Sequence, residues 1–149
     1  LDKPESTLSL GSRLTKKFPD LGILLLNGPL GAGKTTLVKG IAKSLKIKEP
    51  ITSPTFPLSQ HYPLGSPPLV HLDLYRIEEK NAANEFFLQE EEESKAIGAL
   101  MVVEWPERLS LPMPDAWRGK LEYSSENQSR FFQLIPPLDK DNKLSISSK

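Results

Sequence analysis

Residues 22–35 read GILLLN-GPLGAGKT, and this stretch decides the fold. Gly22 to Asn27 is a short continuous apolar run ending at a Gly-Pro turn. It predicts a fully buried β-strand, too short to be a helix on its own. The next eight residues, Gly28-Pro29-Leu30-Gly31-Ala32-Gly33-Lys34-Thr35, match G-x-x-x-x-G-K-[ST]. At average composition a chain of this length carries that match by chance about 0.5% of the time, so a coincidental glycine turn is the poorer reading. Downstream, Leu37, Ile41 and Leu45 recur every four residues, with Val38 and Ala42 widening the stripe. They predict an amphipathic helix over 35–47. Strand, glycine loop and helix in this order make a phosphate-binding loop. The glycines let the backbone curl so that successive N–H groups point at phosphate oxygens, and the helix start adds its positive end. Lys34 reaches the outer phosphates and the Thr35 hydroxyl is a Mg²⁺ ligand candidate.

Such a loop needs a carboxylate on a neighbouring strand to hold the metal, directly or through water. Two acids end apolar runs: Asp73 in HLDLYR and Glu104 in VVEWP. Either suits the role. Strand periodicity puts His71, Asp73 and Tyr75 on one face.

Elsewhere, Thr7 is expected to cap a short helix carrying Leu8, Leu10 and Leu14, stopped by Pro19-Asp20. Prolines recur from Pro50 to Pro68, leaving Phe56 to Tyr62 as an edge strand. Leu69 to Tyr75 and Leu100 to Val103 read as strands. Ala82 to Ile97 reads as a helix with Phe86, Phe87 and Leu88 as its apolar patch, and the Glu90 to Glu93 run as its solvated face. His61 has no evident partner. Lys120 to Tyr123 and Arg130 to Ile135 predict a terminal β-hairpin. The expected fold class is α/β: a single P-loop NTPase-type three-layer domain over 1–138, with a largely parallel central sheet, antiparallel edge strands and a C-terminal β-hairpin. Residues 139–149 are expected to be a solvated tail.

Composition narrows the function. The 149 residues include 14 prolines and no cysteine, which excludes a disulfide scaffold, a thiolate zinc site and a cysteine nucleophile, and is compatible with the cytoplasm. The longest strongly apolar stretch, Leu21 to Leu26, is far short of a membrane span, and no signal-peptide pattern is read. Net charge is zero but uneven: residues 1–48 hold nine Lys/Arg against three Asp/Glu, and residues 49–115 hold four against twelve. A generic nucleic-acid coat is disfavoured, while a basic first third suits a bound polyphosphate. No N-K-x-D or D-x-x-G motif supports a GTPase. An ATPase driving a protein complex, a small P-loop kinase acting on a nucleoside or metabolite, and a nucleotide-dependent binding module remain.

Thr7-Leu8-x-Leu10-Gly11, GPLGAGKTTLVKG at 28–40, TSPTF at 52–56, HLDLYRI at 71–77 and VVEWPERL at 102–109, in this order, resemble the TsaE family. These are the small P-loop ATPases of bacterial tRNA threonylcarbamoyladenosine modification. The resemblance spans about Thr7 to Ile135. It implies ATP and Mg²⁺ as cofactors, with Gly28, Gly31, Ala32, Gly33, Lys34, Thr35 and Thr36 at the phosphates. Thr35 and Glu104 would hold the metal, Asp73 would lie near the γ-phosphate, and Trp105 would sit beside the nucleotide. Lys34, Asp73 and Glu104 would carry the catalysis. The turn around Ser129 and Arg130 would be a nucleotide-side hairpin, and Ser53 to Phe56 a switch segment. The implied partners are the TsaB and TsaD proteins, with tRNA reached indirectly through their complex, and neither DNA nor a membrane.

Overall fold

The computed structural model describes residues 4–29, 33–52, 58–124 and 129–137. Helix α1 (Pro4–Lys17) leads into strand β1 (Ile23–Asn27), and helix α2 (Lys34–Ser44) follows the glycine loop. Then come β2 (Ser59–Tyr62), β3 (Leu69–Asp73), helix α3 (Lys80–Ala96), β4 (Leu100–Glu104), a single 3₁₀ turn (Pro106–Arg108), β5 (Trp117–Ser124) and β6 (Ser129–Ile135). The strands form one sheet in the order β2-β3-β4-β1-β5-β6. The inner four run parallel, while β2 and β6 pair antiparallel with β3 and β5 at the two edges. β1, β3 and β4 are short, near-continuously buried segments, as a parallel interior covered on both faces requires, while β5 alternates, with Trp117 and Leu121 buried and Arg118, Lys120 and Glu122 exposed.

Strand alternation sorts the core into two layers. Leu24 and Leu26 of β1, Val102 of β4 and Leu69 of β3 pack with Leu37, Val38 and Ile41 of α2 and Leu14 of α1. Leu25, Met101, Val103, Val70 and Leu72 face the other way, onto Phe87 of α3. The chain is thus a three-layer α/β/α structure with α1 and α2 on one side and α3 on the other. Among the described residues, no helix is long and apolar enough to cross a membrane.

Helices α1 and α2 pack backbone to backbone. A Cβ on Gly40 would collide with the carbonyl of Leu8, and one on Gly11 with the carbonyl of Leu37. The mutual pair of glycines is the reason the two axes come this close. A hydrogen bond between Thr15 Oγ1 and Ser44 Oγ closes the far end of the contact.

The structure departs from the sequence expectations at several points: the strand read over Leu69 to Tyr75 ends at Asp73, which leaves Tyr75 in a turn, and His61 has a partner in Glu90. Thr7 does not cap a helix: α1 begins earlier, and Thr7 is buried within it at 1% exposure. Burial in the α1–α2 contact outweighs its capping preference. The second helix ends at Ser44 rather than Ile47, because Lys46 takes a left-handed backbone with φ 62°. On α3, Phe87 is buried but Leu88 is an exposed side chain. Glu90, expected on a solvated face, is buried at 8% exposure. The expected tail, 139–149, lies outside the described residues.

Candidate functional site

In a parallel sheet the strand ends and the helix starts meet along one edge, which is where such folds bind ligands. That edge here collects the C-terminal ends of β1, β3, β4 and β5. Register places Asp73 beside Glu104 as neighbours on β3 and β4, and Leu26 of β1 beside Glu104 on its other side. Gly28 follows β1 directly. Gly33 opens α2 with φ 102°, a left-handed conformation that glycine adopts without strain. Lys34, Thr35 and Thr36 form the first turn of α2. Gly31 and Ala32 lie outside the described residues, as does the segment Ser53 to Phe56.

Lys34 is buried at 6% exposure, and its Nζ lies 4.4 Å from the centre of the Trp105 ring. A cation on an indole face is attracted by the ring quadrupole, by roughly 1–2 kcal/mol when desolvated. Trp105 follows β4 with φ 60°, and this left-handed residue turns the indole from the strand end toward α2. The indole also meets Tyr75, ring centres 4.7 Å apart. Arg108 donates to the Tyr75 carbonyl at 3.0 Å and lies over the Tyr75 ring at 5.8 Å. Arg108 therefore holds the chain turn after β3. Asn27 at the end of β1 donates to Glu107 at 3.2 Å, tying the loop's entry strand to the 3₁₀ turn.

Glu104 is buried at 3% exposure and pairs with a fully buried His71, Nε2 to Oε2 at 2.6 Å. A carboxylate oxygen only accepts, so His71 Nε2 carries the shared proton. His71 Nδ1 is buried with no hydrogen-bond partner among the described residues. His71 thus orients one of the two carboxylates. Asp73 accepts from the Tyr75 amide at 3.0 Å. Burial pushes the Asp73 carboxyl above its ordinary 3.8. The Tyr75 hydrogen bond lowers it, Glu104 raises it by repulsion, and His71 and Lys34 lower it.

Two residues from distant elements reach the glycine loop. A Cβ on Gly33 would stand 3.5 Å from Thr7 Cγ2 and 3.8 Å from Arg130 Cδ. Arg130, opposite Tyr123 on the β5–β6 hairpin, thus comes close to Gly33. Thr7 was missed by sequence reasoning as a site residue. Its sequence signal was a hydroxyl on the helix face that also carries Gly11. The structure thus brings together Gly28, Gly33, Lys34, Thr35, Asp73, Glu104, Trp105 and Arg130 at one end of the sheet. Arg76 stays exposed beyond β3.

The donor chemistry fits a magnesium nucleotide. Glu104 and Asp73 supply hard carboxylate oxygens on adjacent strand ends, and Thr35 supplies a hydroxyl, all oxygen ligands of the kind Mg²⁺ takes. The left-handed Gly33 and the exposed amides at the start of α2 suit phosphate oxygens.

Comparison with known proteins gives a family. A family model described as threonylcarbamoyl adenosine biosynthesis protein TsaE matches residues 1–132. A tRNA threonylcarbamoyladenosine biosynthesis protein TsaE from Nostoc sp. is 46% identical over 132 residues, covering 89% of this chain and 81% of that one. One of the same name from Mycobacterium bovis is 44% identical over 118 residues, covering 74% and 68%. The crystal structure of Bacillus subtilis YdiB is similar with a TM-score of 0.66 and 26% identity, across 99% of this chain and 92% of that one.

Proposed function

The chain belongs to the TsaE family, and on that footing we propose that it binds MgATP at the 28–36 loop and hydrolyses it slowly in the cytoplasm. We infer that it acts on a TsaB–TsaD complex rather than transferring the carbamoyl group itself, and meets tRNA only through that complex. The observation that carries this reading is the convergence of Lys34 with Asp73 and Glu104 at one sheet edge.

In this reading Mg²⁺, held by Thr35 and Glu104, supplies charge neutralisation at the phosphates. The remaining steps belong to the chain. Gly28, Gly31, Ala32, Gly33 and the amides of Lys34 to Thr36 would hold the phosphate oxygens. The Lys34 ammonium stabilises charge that builds on the transferring phosphoryl group. Asp73, on the strand end beside Glu104, takes the position near the γ-phosphate, where a carboxylate with a raised pKa is suited to orienting water. His71 keeps the Glu104 carboxylate aimed. Trp105 lies beside the nucleotide, and Arg130 brings a cation to the loop from the hairpin. Residues 1–138 act as one ATPase domain and 139–149 as a tail outside it.

Apart from Arg130, no arginine among the described residues is seen to reach the loop, and no glutamine is seen to orient water. An unassisted P-loop of this kind turns over slowly. The test is steady-state phosphate release, alone and with TsaB–TsaD. The reading expects a rise of at least about tenfold, which needs only roughly 1.4 kcal/mol of barrier lowering. Turnover that ignores the proteins and instead rises with a small hydroxylated acceptor would identify a kinase.

A further inference from the structure

On the opposite face of the sheet from Lys34, strand β2 meets helix α3 at a cluster that the nucleotide site does not use. His61 pairs in register with Val70, and Ser59 with Leu72, so both point to the α3 side. His61, Glu90 and Glu93 present ligand atoms that all lie within 4.8 Å of one another. His61 Nε2 is 2.9 Å from Glu90 Oε2. Ser59 Oγ donates to Glu90 Oε1 at 2.8 Å.

We propose that His61, Glu90 and Glu93 form a site for one zinc-class divalent cation that clamps the edge strand β2 to α3. Three features point to a cation here. First, the donors converge from two elements: Glu90 and Glu93 are one turn apart on α3 and the imidazole comes from β2, unlike an acidic run fanning into solvent. Second, the charge is unbalanced. Glu90 is buried at 8% exposure with a second carboxylate close by. Among the described residues neither glutamate has a lysine or arginine partner, since Lys95 pairs with Glu91 instead. A second carboxylate close to the buried Glu90 raises the cost of its charge, and a bound divalent cation reverses the sign of that repulsion. Third, the Ser59 hydroxyl fixes the Glu90 carboxylate from outside the cluster, the supporting role that ligating carboxylates commonly have.

The donor set selects the metal class. One imidazole and two carboxylates suit zinc, leaving a fourth position for water. Mg²⁺ prefers all-oxygen sites and retains its waters, so the two metals need not compete. Bond lengths near 2.0–2.2 Å place zinc ligands roughly 3.4 Å apart, which asks only small side-chain rotations of the exposed His61 and Glu93. The clamp also bears on the nucleotide side: Leu58, just before β2, accepts the Asp73 amide at 3.0 Å. A cation at this site braces the strand that backs Asp73.

The test uses the full chain, freed of metal with EDTA and titrated with zinc against a chromophoric chelator in excess Mg²⁺. Bound metal is counted by mass spectrometry after equilibrium dialysis. The wild type is expected to take up one zinc ion per chain and to gain thermal stability with it. Glu93→Gln and His61→Ala, both at exposed positions, are expected to weaken zinc at least about tenfold and to lose the thermal gain, while Glu104→Gln keeps it. A wild-type chain that takes up no zinc, or equal zinc affinity in Glu93→Gln, overturns the proposal. So does loss of zinc in Glu104→Gln alone, which would put the ion at the nucleotide site.

Discussion

Lys34 Nζ lies 4.4 Å from the centre of the Trp105 ring, so the cation of the phosphate loop and the residue after β4 act as one unit. Any phosphate that draws the Lys34 ammonium away alters the field on that indole. ATP addition should therefore shift or quench tryptophan emission. The only other tryptophan, Trp117, is buried at 2% exposure and packs on Phe18, giving a steady background. In Trp105→Phe the nucleotide-dependent change should disappear. An equal change in that variant would detach Trp105 from the site.

Glu104→Gln should lower Mg²⁺-dependent hydrolysis more than nucleotide affinity. The backbone contacts to phosphate stay, and one hard anionic oxygen is lost. The amide oxygen introduced by the substitution can still accept from His71, so the fold should hold. The measurement is turnover against Mg²⁺ concentration beside a nucleotide-binding titration. Unchanged Mg²⁺ dependence would leave Asp73 as the metal carboxylate.

Asp73 gives a pH prediction. Its folded pKa is raised above 3.8, chiefly by burial and further by Glu104. A proton is then held more tightly folded than unfolded, so stability falls as pH rises through the window above 3.8. Asp73→Asn keeps an oxygen for the Tyr75 amide and removes the ionised form. It should raise the melting temperature at neutral pH by a small amount, on the order of 1 °C given partial exposure. The gain should vanish below the ordinary aspartate range. A variant less stable at pH 7 than at pH 3, relative to wild type, would contradict this.

Gly40→Ala should destabilise strongly, because its Cβ collides with the Leu8 carbonyl and not with a flexible side chain. Overpacking of this kind costs about 1–3 kcal/mol or more, read as a lower midpoint in urea. Since α1 also brings Thr7 against Gly33, nucleotide affinity should fall with it. Wild-type stability would mean that the two helices separate at no cost.

The parallel sheet and the loop were legible because a buried strand, a glycine loop and a 3.6-period stripe are local patterns. So was the place of Asp73 and Glu104 at strand ends, since both acids close apolar runs. What the sequence hid was non-local. Thr7 has the composition of a cap, and only the approach of α2 through Gly11 and Gly40 makes it a wall of the loop. Glu90 looks like its neighbours in a run of four glutamates, and only β2 crossing above α3 buries it beside His61. Trp105 was expected beside the nucleotide; its contact with Lys34 depends on one left-handed residue that no pattern announces.

In the proposed reaction Lys34 stabilises charge on the transferring phosphoryl group. The most direct measurement is steady-state phosphate release by wild type and Lys34→Ala at matched Mg²⁺ and saturating ATP, with circular dichroism to confirm the fold. Lys34→Ala should keep a fold close to wild type and lower hydrolysis at least about a hundredfold, as loss of several kcal/mol of transition-state stabilisation requires. Wild-type turnover in a folded Lys34→Ala chain would contradict it.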